Sequence, residues 1–304
     1  MRVEILGSGG AVTIPRPGCS CVVCVEARAK GAPYARSGPS VFVHGPDILI
    51  DTPEESKDQI NRAGIMSINA GLYSHWHPDH TAGRRMWETR NFEFRSWPKR
   101  AITTPVYVPE SAWADFEKWY GIADQFRWLE GQGSVEIHRM ADRVPIDVAG
   151  ATVTPIALVH ENAHAFLIEA DGKRVLIAMD ETHYWEPGEL GPLDLAVLPL
   201  GVLPFHPWTG ERKMPEEFTK GPARKTRYEQ TLAHIEQIRA RQTVLIHGTG
   251  GVTLFGLQFA RLHGARVVMV SGSADKRAQA QALGAHHVLA READWPAEIR
   301  RAHV

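Results

Sequence analysis

Cysteine is scarce in this 304-residue chain: there are 3, all inside Cys19-Ser20-Cys21-Val22-Val23-Cys24. An odd number in one short stretch excludes a disulfide framework and fits thiols kept reduced, with metal binding as their reading. Long apolar runs are missing too. Nothing approaches the roughly 20 residues a membrane-spanning helix needs. The opening Met1-Arg2-Val3-Glu4-Ile5-Leu6-Gly7 alternates like a strand and lacks the apolar core of a secretory signal. A cytoplasmic location away from membranes is the expectation. Net charge is nearly absent: 34 Lys plus Arg against 35 Asp plus Glu leave -1. No global field therefore favours nucleic acid or a membrane surface. The expected partner is a small molecule, selected by local groups, and nothing opposes a homodimer. Internal repeats and low-complexity tracts are also lacking.

What is present is a strand-rich pattern followed by helices. Val3 to Leu6 runs into Gly7-Ser8-Gly9-Gly10, and Val41 to Val43 with Ile48 to Ile50 predicts a hairpin turning at Gly45-Pro46-Asp47. Asp51 ends its second strand. A helix is expected over Glu54 to Arg62, then a strand from Ala70 to Ser74. Arg84 to Trp128 reads as an insertion bordering a pocket, with one helix from Glu110 to Trp119. Strands are expected at Ala151 to Ala157, delimited also as Thr154 to Val159 ahead of His160, and at Ala165 to Glu169, Val175 to Ala178 and Leu195 to Leu198. An amphipathic helix, Glu229 to Ala240, precedes a strand Thr243 to His247. Beyond it the order becomes βαβαβ, with helices near Leu254 to Leu262 and Asp275 to Leu283 and strands Arg266 to Val270 and His287 to Leu289. The boundary is placed at His247/Gly248, giving regions 1–247 and 248–304 without a polar linker between them.

Chemistry concentrates in Ser74-His75-Trp76-His77-Pro78-Asp79-His80. At a strand end His75 and His77 point to one side, and a turn at Pro78 brings Asp79 and His80 back toward them. Imidazole and carboxylate donors suit divalent zinc, manganese or iron, and a catalytic centre keeps a position open for water. The competing reading, surface histidines in a polar loop, suits a lone histidine better than four such residues after an apolar strand.

His-x-His-x-Asp-His after an N-terminal hairpin resembles the metallo-β-lactamase superfamily, over most of Met1 to His247. The resemblance implies an αββα sandwich and a binuclear metal-dependent hydrolase whose nucleophile is a metal-bound hydroxide. It implies that His75, His77 and His160 serve one metal, that Asp79, His80 and His247 serve the other, and that Asp180 bridges them. His164 competes with His160, Asp180 could instead cap a loop beside Glu181, and His247 rests on position alone. Asp79 would also orient the nucleophile.

Cys19, Cys21 and Cys24, read as lying in a tight loop, offer three corners of a tetrahedral zinc site. Their pattern, with Gly38-Pro39-Ser40, is similar to the branch containing the phosphoribosyl cyclic phosphate phosphodiesterases, which implies a phosphodiester substrate and a structural zinc. In that branch a histidine three residues past the last catalytic histidine completes the zinc site; here Gly250 holds that place, leaving His206 or water as the fourth ligand. Another histidine of that branch is replaced by Ala223-Arg224-Lys225-Thr226-Arg227, so His183 and His206 become the candidates for protonating the leaving group.

Gly248-Thr249-Gly250-Gly251 follows a strand and opens a helix, a context that can cradle a pyrophosphate, with Gly248, Gly250 and Gly251 as the candidate contacts. From Thr243 to Trp295 the chain resembles half of the cofactor domain of medium-chain zinc-type alcohol dehydrogenases and quinone reductases. That implies a partial Rossmann-like segment. Ser271, where an acidic residue would hold an NAD ribose, fits NADP better than NAD. With only one mononucleotide half present, a structural extension is preferred to a dinucleotide site. A hydrolase inactivated by this fusion is the remaining alternative.

Overall fold

The computed structural model describes residues 1–93, 95, 100–187, 190–199, 211–212, 231, 234, 243–247, 266–270 and 274–290, with backbone alone at 100–101, 243–247, 266 and 270. The chain divides into two compact units, Met1–Lys173 and Arg174–Val304. Among the described residues no helix is long and apolar enough to cross a membrane.

The first unit opens with β1 (Arg2–Gly7), α1 (Val22–Lys30), β2 (Ser40–His44), β3 (Ile48–Ile50), α2 (Ser56–Ala63) and β4 (Ala70–Leu72). After α3 (Pro78–Thr81) and a 3-10 turn at Ala82–Arg85 come α4 (Met86–Asn91), the short pair β5 (Phe92–Glu93) and β6 (Arg100–Ala101), and β7 (Thr104–Pro109). Helices α5 (Glu110–Phe116) and α6 (Ile122–Gly131) lead to β8 (Val135–Met140), β9 (Ile146–Val148), β10 (Ala151–Ala157) and β11 (His164–Ala170). Six strands form one sheet in the order β1-β2-β3-β4-β7-β8, antiparallel at the hairpin end and parallel from β3 onward. Strands β9, β10 and β11 form an antiparallel meander.

Continuous burial explains the near-unbroken apolar runs of the central strands: Val41, Val43, Ile48 and Ile50 are wholly buried. One face of the sheet packs on α4, α5 and α6 through Trp87, Trp113, Phe116, Phe126 and Leu129. Helix α6 buries Ile122, Ala123, Phe126 and Leu129, the spacing of a single helical stripe. The stretch from Arg84 to Trp128 is thus no insertion, since β7 is an interior strand and two helices, not one, build the core. Its prolines at positions 105 and 109 disguise β7, yet Val106 and Val108 between them are wholly buried. Strand β10 covers Ala151–Ala157, the first of the two expected delimitations; the other, Thr154 to Val159, overruns its end by two residues.

The second unit contains β12 (Lys173–Ile177) apart from its first residue, Lys173, which closes the first unit, then β13 (Leu195–Val197), β14 (Thr243–His247), β15 (Arg266–Val270), α7 (Ala274–Ala282) and β16 (His287–Leu289). These five strands run parallel in sequence order. Val267 and Met269 pack with Ala280 of α7 and Ala285. The expected helices near Glu229 to Ala240 and Leu254 to Leu262 lie largely or wholly outside the described residues.

Candidate metal centre

The cluster is built where β4 ends. Strand β4 runs parallel between β3 and β7, so Asp51 and Ser74, just past two neighbouring strand ends, face each other. The Asp51 backbone is left-handed (φ 57°), and its carboxylate is fully buried. Asp51 Oδ1 accepts the Ser74 backbone N–H at 2.7 Å. Oδ2 accepts the Ser74 hydroxyl at 2.6 Å and His80 Nδ1–H at 2.7 Å. Because the Ser74 hydroxyl donates to Asp51, its oxygen is left to accept from His75 Nδ1, 3.0 Å away. One carboxylate therefore fixes the tautomers of two imidazoles, directly for His80 and through a serine for His75. In each ring this leaves Nε2 as the nitrogen turned away from the relay and available to a metal.

Pro78 starts α3 at the position where its missing N–H costs nothing, and His77 before it is extended. This turn folds the cluster back on itself. The rings of His75 and His80 lie 4.1 Å apart between centroids, and those of His75 and His77 lie 4.5 Å apart. Asp79 Oδ2 is buried without a hydrogen bond and lies 3.5 Å from His80 Nε2. Imidazole nitrogens and a buried carboxylate oxygen on one turn, with His75 and His80 presenting donor atoms within 4.8 Å of each other, are of the kinds that fit a divalent cation. Thr81 Oγ1 ties the turn by donating to the carbonyls of Trp76 and His77 at 3.1 and 3.0 Å. Gly83 N donates to Thr52 O at 2.9 Å, and a Cβ on Gly83 would collide with the Pro53 carbonyl. Beneath the cluster Tyr73, whose ionisation burial pushes upward, shares a 2.7 Å hydrogen bond with Thr52 and accepts Trp87 Nε1–H at 2.8 Å.

His160 lies in the turn joining β10 and β11, where Glu161 and Asn162 have positive φ. That turn is docked on the cluster: His164 N donates to Ser74 O at 3.0 Å, and Glu161 Oε2 lies 3.8 Å from His77 Nε2. His164, the competitor, is buried, with Nδ1–H donating to Asn162 O at 2.9 Å and Nε2 3.5 Å from Ser111 Oγ. Burial holds its pKa below the ordinary value. It is a core histidine.

The other predicted residues belong to the second unit. Asp180 follows β12 and accepts the Glu181 N–H at 2.8 Å. His183 Nδ1 is 3.3 Å from Glu181 Oε2. His247 ends β14, with only its backbone described. His206, Gly248, Gly250 and Gly251 lie outside the described residues.

The cysteines do not occupy a simple loop, since Cys21 caps the start of α1 and Cys24 is buried in its first turn. The three sulfurs lie within 4.8 Å of one another, and among the described residues no fourth His, Cys, Asp or Glu joins them. Arg16 donates to Cys19 Sγ at 3.0 Å, and its backbone N–H donates to Cys24 Sγ at 3.4 Å. The Cys24 backbone N–H, with the neighbouring thiols and Arg16, lowers the Cys21 pKa to about 6. Sequence reasoning missed Asp51 and Ser74 as organisers of the centre; an acidic residue closing an apolar strand was the available signal.

The family model of the beta-lactamase superfamily domain matches residues 45–248, and a second model, zinc-binding dehydrogenase, matches residues 251–303. The chain belongs to the metallo-β-lactamase-fold superfamily and carries a C-terminal zinc-binding-dehydrogenase-like segment. Its fold class is mixed α/β, as the αββα expectation with a partial Rossmann-like addition required.

Among curated proteins, an octanoyltransferase of Porphyromonas gingivalis is 27% identical over 163 residues, 53% of this chain and 31% of that protein. A zinc-type alcohol dehydrogenase-like protein of Schizosaccharomyces pombe is 45% identical over 53 residues, 17% of this chain and 15% of that one. The chain thus spans under a third of the length of either relative. Solved structures include a diphosphatase of the PhnP family at 20% identity and TM-score 0.49, covering 88% of this chain and 84% of that one. The metallo-β-lactamase fold protein YhfI of Bacillus subtilis, at 14% identity and TM-score 0.49, covers 95% and 94%.

Proposed function

We propose that this chain is a binuclear metal-dependent hydrolase acting on a small phosphodiester, such as a cyclic, sugar or nucleotide phosphate. The observation carrying the reading is the convergence of His75, His77, His80 and Asp79 over the Asp51–Ser74 relay, in a chain of a superfamily built on such centres. His75, His77 and His160 would hold one cation and Asp79, His80 and His247 the other, with Asp180 between them. The cations, zinc, manganese or iron, supply Lewis acidity and lower the pKa of water from about 15.7 toward 7.

The chain's own part is positional. Asp51 and Ser74 keep the His75 and His80 protons on Nδ1, away from the reacting face. Asp79 accepts the proton of the attacking water and aims its lone pair. His183 or His206 would supply the proton the leaving oxygen needs. We assign residues 1–247 to this hydrolase and 248–304 to a structural extension, with a structural zinc on Cys19, Cys21 and Cys24.

Bis(p-nitrophenyl) phosphate is the direct assay, run with Zn or Mn and after chelation, beside nitrocefin and a thioester. Metal-dependent release of p-nitrophenol, lost by roughly two to four orders of magnitude in Asp79→Ala, is the expected result. Turnover that survives both chelation and Asp79→Ala, or a clear preference for the lactam or thioester, would overturn it.

A further inference from the structure

Trp76 occupies the variable place between His75 and His77, and its ring is exposed to more than the core behind it. It lies parallel to Trp119, with centroids 5.2 Å apart and planes at 25°, and to Tyr120, at 6.0 Å and 21°. It meets His77 edge-on at 4.5 Å. Core aromatics in this unit meet mostly as edges or tilted pairs, as Tyr73 does with Phe116 and Phe126. The two rings stacked on Trp76 instead reach the surface, Trp119 being 46% and Tyr120 69% exposed.

The arrangement is held from several sides. Trp76 Nε1–H donates to Glu161 Oε2 at 3.2 Å, which sets the plane of the indole against the metal-binding cluster. Trp119 and Tyr120 lie in the turn between α5 and α6, where Tyr120 (φ 53°) and Gly121 (φ 59°) are both left-handed. That conformation is sterically disfavoured for a tyrosine. Arg84 clamps the turn, donating to Tyr120 O at 3.3 Å and to Thr81 O at 3.0 Å, so the last residue of α3 and the aromatic tip share one guanidinium. Strained backbone that presents a large ring to water, beside a catalytic cluster, is better explained by a ligand than by packing.

We infer that Trp76, Trp119 and Tyr120 form a stacking platform for a planar ring carried by the substrate, which makes the substrate a nucleobase-bearing phosphate ester. The inference rests on the phosphodiesterase reading and names its substrate class. A purine offers a fused flat face to match an indole, and its phosphate is tethered through a sugar, as the metal cluster is tethered to the platform through the Trp76–His77 peptide. Stacking on an aromatic side chain strengthens binding about fivefold to a hundredfold per base.

The test is calorimetric titration of the full-length, metal-loaded chain with AMP and with ribose 5-phosphate, which differ by the ring alone. AMP is expected to bind at least about tenfold more tightly. Trp119→Leu keeps apolar bulk without a π face, and Tyr120→Asn keeps a residue suited to positive φ. Each should cut the AMP preference severalfold, with metal content and circular dichroism unchanged. Equal affinities for the two ligands, or full preference retained in both variants, would overturn the platform. Should Trp119→Leu fail to fold, the more exposed Tyr120→Asn decides alone. Failure of the parent reading looks different: no turnover of bis(p-nitrophenyl) phosphate while the AMP preference persists.

Discussion

Asp51→Asn is the substitution that probes the centre most sharply, because it keeps shape and backbone while changing one acceptor into a donor. Asparagine tolerates the left-handed conformation at φ 57°, so the backbone is not the cause of any loss. Two amide orientations are available. If the NH2 replaces Oδ1 it confronts the Ser74 N–H; if it replaces Oδ2 it confronts both the Ser74 hydroxyl and His80 Nδ1–H. Either places donor against donor in a fully buried site, at a cost of about 1–3 kcal/mol. The second is relieved only when His80 moves its proton to Nε2, which blocks the nitrogen intended for the metal, and when the Ser74 hydroxyl turns away and releases His75. Metal affinity is therefore expected to fall about 10–100-fold. Chelator-competition titration with Zn or Mn measures it, and a thermal melt separates it from unfolding. Asp51→Ala removes the same acceptors and adds left-handed strain, so it should lose stability by about 3–5 kcal/mol. Native metal affinity in both Asp51→Asn and Asp51→Ala would refute the tautomer relay, since the alanine leaves no acceptor in either orientation.

The remaining expectations concern the surroundings. Burial lowers the His164 pKa below 6.5, so the folded state binds fewer protons than the unfolded one in that window, and stability falls as pH drops from 6.5 through the folded value. Urea midpoints for His164→Gln should decline less steeply below pH 6.5 than those of the parent, a residual slope remaining because His234 is lowered by burial as well. In chelator-treated protein Cys21 should be alkylated by iodoacetamide with a midpoint near pH 6, against about 8.5 for an ordinary thiol, and mass spectrometry of the labelled peptide reads this directly. Gly83→Ala drives a methyl into the Pro53 carbonyl and should destabilise by about 1–3 kcal/mol, with a lower melting temperature as the readout.

The centre was legible because its donors are consecutive in sequence: a strand, two histidines on one side and a proline turn gather themselves locally. The central strands were legible through their unbroken apolar runs. Strand β7 was not, because prolines at positions 105 and 109 normally argue against an interior strand, and only parallel partners on both sides reveal why Val106 and Val108 are apolar. Asp51 was visible as a strand terminator, but its purpose depends on Ser74 and His80, 23 and 29 residues away, and spacing alone cannot announce such a contact. The cysteines illustrate the reverse error. Clustered thiols suggested a loop, whereas the alanine-rich and charged residues after Val22 wind into α1 and put Cys24 inside it.

Strand β14 has parallel neighbours on both flanks, Leu195 and Ala196 of β13 on one side and all five residues of β15, ending at His247 opposite Val270, on the other. The superfamily match closes at residue 248 and the dehydrogenase-like match opens at 251, so the seam between two ancestries falls at a strand end inside a continuous ladder. A join of this kind works as a ratchet. Once β15 and β16 have covered β14, the sheet has no need to evolve the charges, prolines or bulges that guard a bare edge. Losing the tail is then expected to uncover a strand edge with open backbone groups, able to recruit other chains. A segment joined in this way is held in place by the ladder it completes.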